Sequence, residues 1–350
     1  LSRLFFEKYW DLPGNNNCMD KIKIIKNRSD LGAGTRGSDM GVDAIEIAAI
    51  NSDNDYFNRY DFEDLKTEND AVYDKQNNPF AKRISKVLTI CERLSTSVRD
   101  TLMDNSFPLV LSGDHSSALG SISGVKTAFP DKKLGVIWID AHADVHSPHT
   151  SPSGNIHGMP LSAALDADNL DKQINTVSGM TKRTWENLKN IGGIRPKIYS
   201  DNVVYFGVRD TEEPEDYIMK KMGLRNYKVD EVRYRGLELC VNEALERLID
   251  CDVIYISFDV DSMDCDLISK GTGTPVSKGF DQYEVMAIIN QIVRTGKVAC
   301  FEVVEINPTL DNKGNKMAEV AFEVLDNVTK TIAETKRKAE LELYNYRFDS

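Results

Sequence analysis

All five histidines of this 350-residue chain lie between residues 115 and 157. The positions are His115, His142, His146, His149 and His157. Histidines without a shared role would be expected to scatter along the chain, so their clustering indicates a site. Because imidazoles bind metals and carry protons near neutral pH, the site is expected to use one or both of these chemistries.

Three short segments carry carboxylates, and two of them also carry a histidine. They are SGDHS (Ser112–Ser116), DAHAD (Asp140–Asp144) and SFDVDSMD (Ser257–Asp264). Each follows an apolar run typical of a buried strand. Alternate residues of a strand point to the same side, so the acidic and histidine side chains two residues apart would face together. One such motif is unremarkable, but three at separate strand ends predict a single shared site.

Two divalent metal ions would account for this combination of residues. Four carboxylates cannot all stay ionised at close range unless cations neutralise them. The ligand set is rich in oxygen, offers one imidazole per metal and contains no thiolate, which favours Mn²⁺ over a structural zinc site. Two metals about 3.5–4 Å apart can lower the pKa of a shared water and deliver hydroxide to an electrophilic carbon. The motifs therefore predict hydrolysis.

Strands and helices must bring these motifs together. Apolar runs predict strands, and amphipathic patterns between most of them predict helices. The strands are expected at Lys21–Lys26, Pro108–Ser112, Leu134–Ala141, Asn202–Val208, Asp252–Asp261 and Val298–Ile306. The helices are expected at Pro79–Asn105, Ser116–Phe129, Lys182–Asn190, Asn242–Ile249, Gln282–Thr295 and Lys316–Glu342. This alternation predicts a three-layer α/β/α fold with a mostly parallel central sheet and with ligands beyond the carboxyl ends of the strands.

The chain has no internal repeat or flexible linker, so we expect one domain over residues 1–350. Residues 51–78 are acidic and rich in Asn and Asp, which predicts a long surface insertion; a lid over the site is a second interpretation. Residues 316–350 are expected to form a terminal helix and tail. The alternating charges of residues 334–350 favour a solvated helix there, while the Leu and Tyr residues of that stretch would allow contact with another subunit.

Composition limits the class of protein. The net charge of −12 disfavours binding to nucleic acid and to anionic membranes. The longest apolar stretches are far shorter than the roughly 20 residues of a transmembrane helix. Six widely spaced cysteines without a Cys-x-x-Cys pair are expected to be reduced. We therefore expect a soluble, cytoplasmic protein, although a chain that begins without Met leaves a removed targeting segment open.

At its three motifs the chain resembles the ureohydrolase family, and within it the bacterial arginases. The resemblance spans roughly residues 21–330 and continues through four further segments. These are LGAGTRGSDMGVDAI (Leu31–Ile45), TSPSGNIHGMPLS (Thr150–Ser162), GTGTPV (Gly271–Val276) and EVVEINPTLD (Glu302–Asp311). The order of the motifs along the chain implies the arginase fold.

The resemblance implies two Mn²⁺ per subunit. The first would be bound by His115, Asp140, Asp144 and Asp259, and the second by Asp140, His142, Asp259 and Asp261. Asp140 and Asp259 would bridge the two ions. Asp144 would also hold the proton of the nucleophile and pass it to the departing amine. His157 would exchange protons with solvent, and Glu305 would face the substrate guanidinium.

The resemblance also implies contacts to the far end of the substrate. Ser153 and Asn155 match residues that hold an α-carboxylate, and Thr274 matches a residue that lines the guanidinium end. Glu212 stands where the family usually has an Asp that reads the α-ammonium group, and His146 stands where it usually has an Asn. These two departures affect selectivity and remove no metal ligand. His149 is expected to be a solvated loop residue without a role.

The activity implied is that of a binuclear manganese amidinohydrolase. A metal-bridging hydroxide would attack the guanidinium carbon of L-arginine and yield L-ornithine and urea. One alternative is a sibling ureohydrolase that acts on agmatine, 4-guanidinobutyrate or N-formimino-glutamate. Another is a non-catalytic metal-binding member of the family. The family's trimers and hexamers make a homo-oligomer the expectation.

Overall fold

A single parallel sheet runs through the computed structural model, which describes residues 21–348. The described chain contributes eight strands in the spatial order β2-β1-β3-β8-β7-β4-β5-β6, and every neighbouring pair is parallel. The strands are β1 (Ile22–Asn27), β2 (Asp61–Asp64), β3 (Phe107–Ser112), β4 (Leu134–Ile139), β5 (Val203–Phe206), β6 (Arg225–Tyr227), β7 (Val253–Asp259) and β8 (Val298–Val304).

The central strands are apolar on both faces because helices cover both sides of the sheet. Strands β4 (LGVIWI) and β7 (VIYISFD) are buried along their whole length. Alternate residues of β7 enter different cores: Ile256 and Phe258 pack on one face of the sheet, and Tyr255 packs on the other. Strands β4 and β7 pair up to Ile139 and Phe258. The acidic residues that follow them therefore emerge at one edge.

Helices form the outer layers. In the described chain they are α1 (Gly41–Asn51), α2 (Tyr56–Arg59), α3 (Ile84–Met103), α4 (Ala118–Ala128), α5 (Pro160–Leu165), α6 (Gly179–Lys189), α7 (Glu213–Met222), α8 (Val229–Arg235), α9 (Leu237–Arg247), α10 (Gln282–Val293) and α11 (Lys316–Phe348). Among residues 21–348, none of these helices combines the length and apolar character that crossing a membrane requires. The three-layer fold predicted from the alternating pattern is confirmed.

Two edge strands were not predicted. Strand β2 (DFED) and strand β6 (RNY) are short and polar, so they lack the apolar run by which the other strands were identified. Strand β2 lies within residues 51–78, the segment interpreted as a surface insertion, and extends the sheet beside β1. Within the same segment Tyr56 is fully buried and its hydroxyl bonds with Thr329. None of residues 51–78 lines the site cavity.

Candidate active site

The three acidic motifs meet at the carboxyl ends of β3, β4 and β7. Strand β3 leads into a short 3₁₀ turn, His115–Ser117, whose start is capped by the Asp114 side chain accepting from the amide of Ser116 at 2.9 Å. Asp140 follows β4 directly, and Asp259 is the last residue of β7. Parallel strands thus place residues far apart in the chain at one edge of the sheet.

A first group of ligand atoms surrounds the imidazole of His115. Its Nδ1 atom lies 3.0 Å from Oδ2 of Asp140, and 3.1 Å from Oδ2 of both Asp144 and Asp259. Ligands that sit at right angles about 2.1 Å from one cation are about 3.0 Å apart. His115 Nδ1 and Asp140 Oδ2 are also buried without a hydrogen-bond partner. The spacing and these two orphaned atoms fit a metal ion.

A second group forms around His142. Its Nδ1 atom lies 3.0 Å from Oδ2 of Asp261 and 3.5 Å from Oδ1 of Asp140. Thr274 donates its hydroxyl to Asp261 Oδ2 at 3.0 Å. Asp140 therefore serves both groups, one oxygen to each. Asp259 lies with the first group, and its Oδ1 accepts from the amide of Asp261 at 2.8 Å.

The pKa shifts of these residues show that positive charge stabilises the cluster. Burial disfavours the charged forms of His115 and His142, yet neighbouring carboxylates raise the pKa of each well above its usual value. Burial and then the charge of Asp140 raise the pKa of Asp144 to about 7. The cluster thus holds protons that bound cations would replace.

Two carboxylates of the site sit on strained backbone. Asp144 has φ 53° and Glu305 has φ 66°, a left-handed conformation that costs free energy in residues other than glycine. Each is held by its neighbours: the carbonyl of Asp144 accepts from the amide of Leu161, and the amide of Glu305 donates to Gly113 at 2.7 Å. Such strain is typical of functional sites.

The partly exposed His157 and the buried Glu305 form a pair beside the first group. His157 Nδ1 lies 3.0 Å from Glu305 Oε1, which also accepts from the amide of His115 at 2.9 Å. Burial disfavours the charged form of His157, but Glu305 raises its pKa to about 9. Burial opposes ionisation of Glu305, while His157 lowers its pKa. The second oxygen of Glu305, Oε2, is buried without a partner.

The cluster forms the floor of a cavity of about 260 Å³. Farther out, the cavity is lined by Ser153, Glu212 and His146. His146 Nε2 lies 2.8 Å from Glu212 Oε2, and its Nδ1 lies 3.1 Å from the hydroxyl of Thr150. Both ring nitrogens of His146 are therefore engaged. The mouth is acidic and suits a cationic ligand.

Two expectations differ from the structure. His149 is buried rather than solvated, because its carbonyl accepts from the amides of Ile174 and Asn175 and holds the loop inward. Asn155 does not line the cavity; its side-chain oxygen accepts from Lys82 Nζ at 3.2 Å.

Three contacts to histidines of the site were not predicted from the sequence. Asp210 lies 3.7 Å from His142 Nε2, Glu215 lies 3.5 Å from His146 Nε2, and the Ser257 hydroxyl lies 2.6 Å from His115 Nε2. Ser257 was visible as the first residue of SFDVDSMD, while Asp210 and Glu215 flank Glu212 in the chain without a motif of their own.

Comparison with known proteins assigns the chain to a family. An arginase family model matches residues 20–330. The arginase of Bacillus subtilis is 36% identical over 314 residues, which are 89% of this chain and 98% of the relative. Human arginase-1 is 35% identical over 267 residues, 76% of each chain. The structure of Bacillus caldovelox arginase matches with a TM-score of 0.75 at 34% identity, covering 89% of this chain and 98% of that one.

The fold and the clustered imidazoles and carboxylates define a metal-dependent hydrolase. More narrowly, the chain belongs to the arginase family and is an arginase-like ureohydrolase. The structure of Bacillus subtilis formimidoylglutamase also matches, with a TM-score of 0.69, but at 19% identity it shows the shared fold alone.

Proposed function

We propose that this protein is a binuclear manganese arginase that hydrolyses L-arginine to L-ornithine and urea. The observation that carries the proposal is the sharing of Asp140 between two imidazole–carboxylate groups on the floor of an acidic cavity. The names of the bacterial and human relatives support the choice of arginine.

The proposed ligands of the first Mn²⁺ are His115, Asp140, Asp144 and Asp259, and those of the second are Asp140, His142, Asp259 and Asp261. The oxygen-rich donor set without thiolate supports manganese. When bound, the two ions would lower the pKa of a water that they share and so supply hydroxide near neutral pH.

Glu305 is proposed to bind the substrate guanidinium. Its Oε2 atom is buried and has no partner, and a carboxylate oxygen of this kind pairs well with a planar cation. Thr274 lines the cavity, whereas Glu305 is not itself a lining residue but contacts His157 and the amide of His115, both of which are. A guanidinium between Glu305 and Thr274 would lie next to both ligand groups, because Glu305 Oε1 accepts from the amide of His115 and Thr274 donates to Asp261.

Asp144 and His157 are proposed to move protons. The Asp144 carboxylate lies in the first ligand group and lines the cavity, so it can take a proton from the attacking water and return it to the departing nitrogen. His157 has a pKa of about 9 and is protonated at neutral pH. Its side chain is 19% exposed, so it can exchange that proton with solvent.

Ser153, Asn155, Glu212 and His146 are the proposed contacts of the amino-acid end. Ser153 and Glu212 line the cavity directly. Asn155 stands outside the lining, so its proposed role is to support this loop. The Glu212 carboxylate is held at the cavity by His146, which contacts Oε2, and by the backbone amide of Glu215, from which the side chain accepts.

A sibling ureohydrolase is the second candidate, and the engagement of both His146 nitrogens favours it. A substrate carboxylate finds no unpaired donor on that ring. Agmatine, which lacks a carboxylate, would not need one. The same observation gives no support to 4-guanidinobutyrate or N-formimino-glutamate, which carry carboxylates.

The test is a substrate panel with Mn²⁺-loaded full-length protein. We expect urea from arginine, with a higher kcat/KM than for agmatine or 4-guanidinobutyrate. The His142→Ala variant should lose both metal and activity, whereas His149→Ala, a buried histidine outside the cavity, should keep its metal. A higher kcat/KM on agmatine would replace the proposal with the second candidate, and no urea from any compound would refute both.

We further propose that the enzyme is cytoplasmic and forms a homo-oligomer from single-domain subunits. The described cysteines Cys91, Cys240, Cys251, Cys265 and Cys300 are free and buried, which suits a reducing compartment. The oligomer rests on the resemblance to arginases, and light scattering of the purified protein tests it; a monomer would refute it.

A further inference from the structure

A buried carboxylate outside the cavity lies behind the first ligand group. Glu302 of β8 is completely buried and accepts three hydroxyl hydrogen bonds, from Ser112 at 2.7 Å, Ser117 at 2.8 Å and Tyr255 at 2.7 Å. No Lys, Arg or His forms an ion pair with it in the described part of the chain. A charge is buried at high cost unless hydrogen bonds satisfy it, so three convergent donors indicate a specific role.

The donors connect Glu302 to His115. Ser112 and Ser117 flank His115 in the chain, one on each side. On β7, Tyr255 and Ser257 point to the same face, and the Tyr255 hydroxyl donates to Glu302. Ser257 stands opposite Glu302 in the pairing of β7 with β8, and a hydrogen bond from Ser257 to the Tyr255 oxygen opposes the rise in the pKa of Tyr255. The Ser257 hydroxyl in turn lies 2.6 Å from His115 Nε2. A continuous buried path therefore runs from Glu302 to the imidazole.

Glu302 fixes the direction of donation along this path. Burial, and then the charge of Glu302, raise the pKa of Tyr255 well above its usual value, so Tyr255 keeps its proton and donates it to the carboxylate. Its oxygen then accepts from Ser257, whose oxygen accepts from His115 Nε2–H. An imidazole protonated at Nε2 leaves Nδ1 free to bind a cation, and Nδ1 is the atom that faces the three carboxylates.

We propose that Glu302 is a positioning residue that acts through Tyr255 and Ser257 to hold His115 in the Nε2–H form, and so sets the affinity of the first metal site. The imidazole plane is fixed independently by Trp138, whose ring stacks on that of His115 with a centroid distance of 4.0 Å and an angle of 5°. The inference rests on the proposed metal site but requires no particular substrate.

The test measures Mn²⁺ binding to the full chain by calorimetry. Because the loss of partners behind a metal ligand typically costs 10–100-fold in affinity, Tyr255→Phe should weaken the first site at least about tenfold. Tyr56→Phe is the matched control, because it too removes a buried tyrosine hydroxyl. The hydroxyl of Tyr56 bonds with Thr329 and lies away from the site. Equal affinities in Tyr255→Phe and Tyr56→Phe would overturn the proposal.

A double-mutant cycle separates the relay from a general loss of packing. Ser257→Ala interrupts the path next to His115, so adding Tyr255→Phe to it should weaken binding no further. If the reductions in Mn²⁺ affinity of the two single variants multiply in the double variant, the proposed path through Tyr255 and Ser257 is overturned. If Tyr255→Phe does not fold, the Mn²⁺ affinity of Ser257→Ala alone tests the path. Wild-type protein that binds Mn²⁺ but releases no urea would refute the proposed activity and leave this result standing; wild-type protein that binds no Mn²⁺ would refute both.

Discussion

Replacing Glu305 by Gln should lower the pKa of His157 from about 9 to about 6.5 or below. Burial alone favours the neutral imidazole, and the carboxylate 3.0 Å from Nδ1 is the largest influence that opposes it. Gln keeps the size and a hydrogen-bond acceptor but removes the charge. The remaining attraction from Asp144 and Asp114 is smaller, so the effect of burial should dominate in the variant.

Nitrogen-15 NMR of histidine-labelled, metal-free protein measures this change directly. The chain has five histidines, and a His157→Gln sample identifies the signal of His157. Glu215→Gln is the matched control, because Glu215 is a buried carboxylate that contacts His146 and not His157. The reasoning fails if His157 titrates near 6.5 in the wild type, or if Glu305→Gln and Glu215→Gln leave it equally unchanged.

The ion pair of His157 with Glu305 should also make the free energy of unfolding of the metal-free protein depend on pH. Because folding raises the pKa of His157 from about 6.5 to about 9, its contribution is complete below pH 6.5 and is lost as the pH rises to 9. Each pKa unit corresponds to about 1.4 kcal/mol, so a rise of about 2.5 units sets an upper bound of about 3.5 kcal/mol. Urea unfolding should show the advantage of wild type over His157→Gln shrinking between pH 6 and pH 9.5. A difference in unfolding free energy between wild type and His157→Gln that stays constant over this pH range would contradict the prediction.

Three further predictions concern metal and backbone. Chelation should lower the melting temperature, and Mn²⁺ at 100 times its Kd should restore about 2.7 kcal/mol per site; a melting temperature unaffected by Mn²⁺ would contradict a resident metal. Thr274→Val removes the hydroxyl donated to Asp261 and should weaken the second Mn²⁺ about tenfold by calorimetry, whereas Thr272→Val, which removes a buried unpaired hydroxyl, should not. Gly154, at φ 70°, lies so close to Pro79 that the Cβ of a Gly154→Ala variant would be 1.9 Å from the Pro79 carbonyl oxygen. Chemical unfolding should therefore show a larger loss of unfolding free energy for Gly154→Ala than for Gly193→Ala, since Gly193 has φ 72° and open space around it. Equal losses in the two variants would show that the contact with Pro79 is relieved.

The strands and the site could be predicted best where a buried apolar strand ends in residues of distinctive chemistry. Strands β4 and β7 are apolar on both faces and end in acidic motifs, so both the strands and the edge at which they meet could be predicted. Strands β2 and β6 belong to the sheet through backbone pairing with a single neighbour each. Their side chains leave no apolar pattern, and pairing of this kind depends on where the rest of the sheet lies.

The surroundings of the site were harder to predict for a related reason. Glu302 is one polar residue within the strand VACFEVV, and its three donors come from two other strands and a turn. His149 looks like a loop histidine until the folded loop buries it. Local sequence reveals a residue's chemical type, but its partners depend on strand order and register, which link positions more than a hundred residues apart.

The two ligand groups share Asp140 but differ in their exposure. The imidazole of His115 is 1% exposed, stacked on Trp138 and bonded through Nε2 to Ser257 inside the sheet. The imidazole of His142 is 23% exposed, and its Nε2 lies 3.7 Å from the solvent-exposed Asp210. Because partners behind a ligand fix its orientation, the fold holds the first group rigidly on the closed side of the cavity. The imidazole of the second group, with its weaker outer contact, is the more exposed of the two.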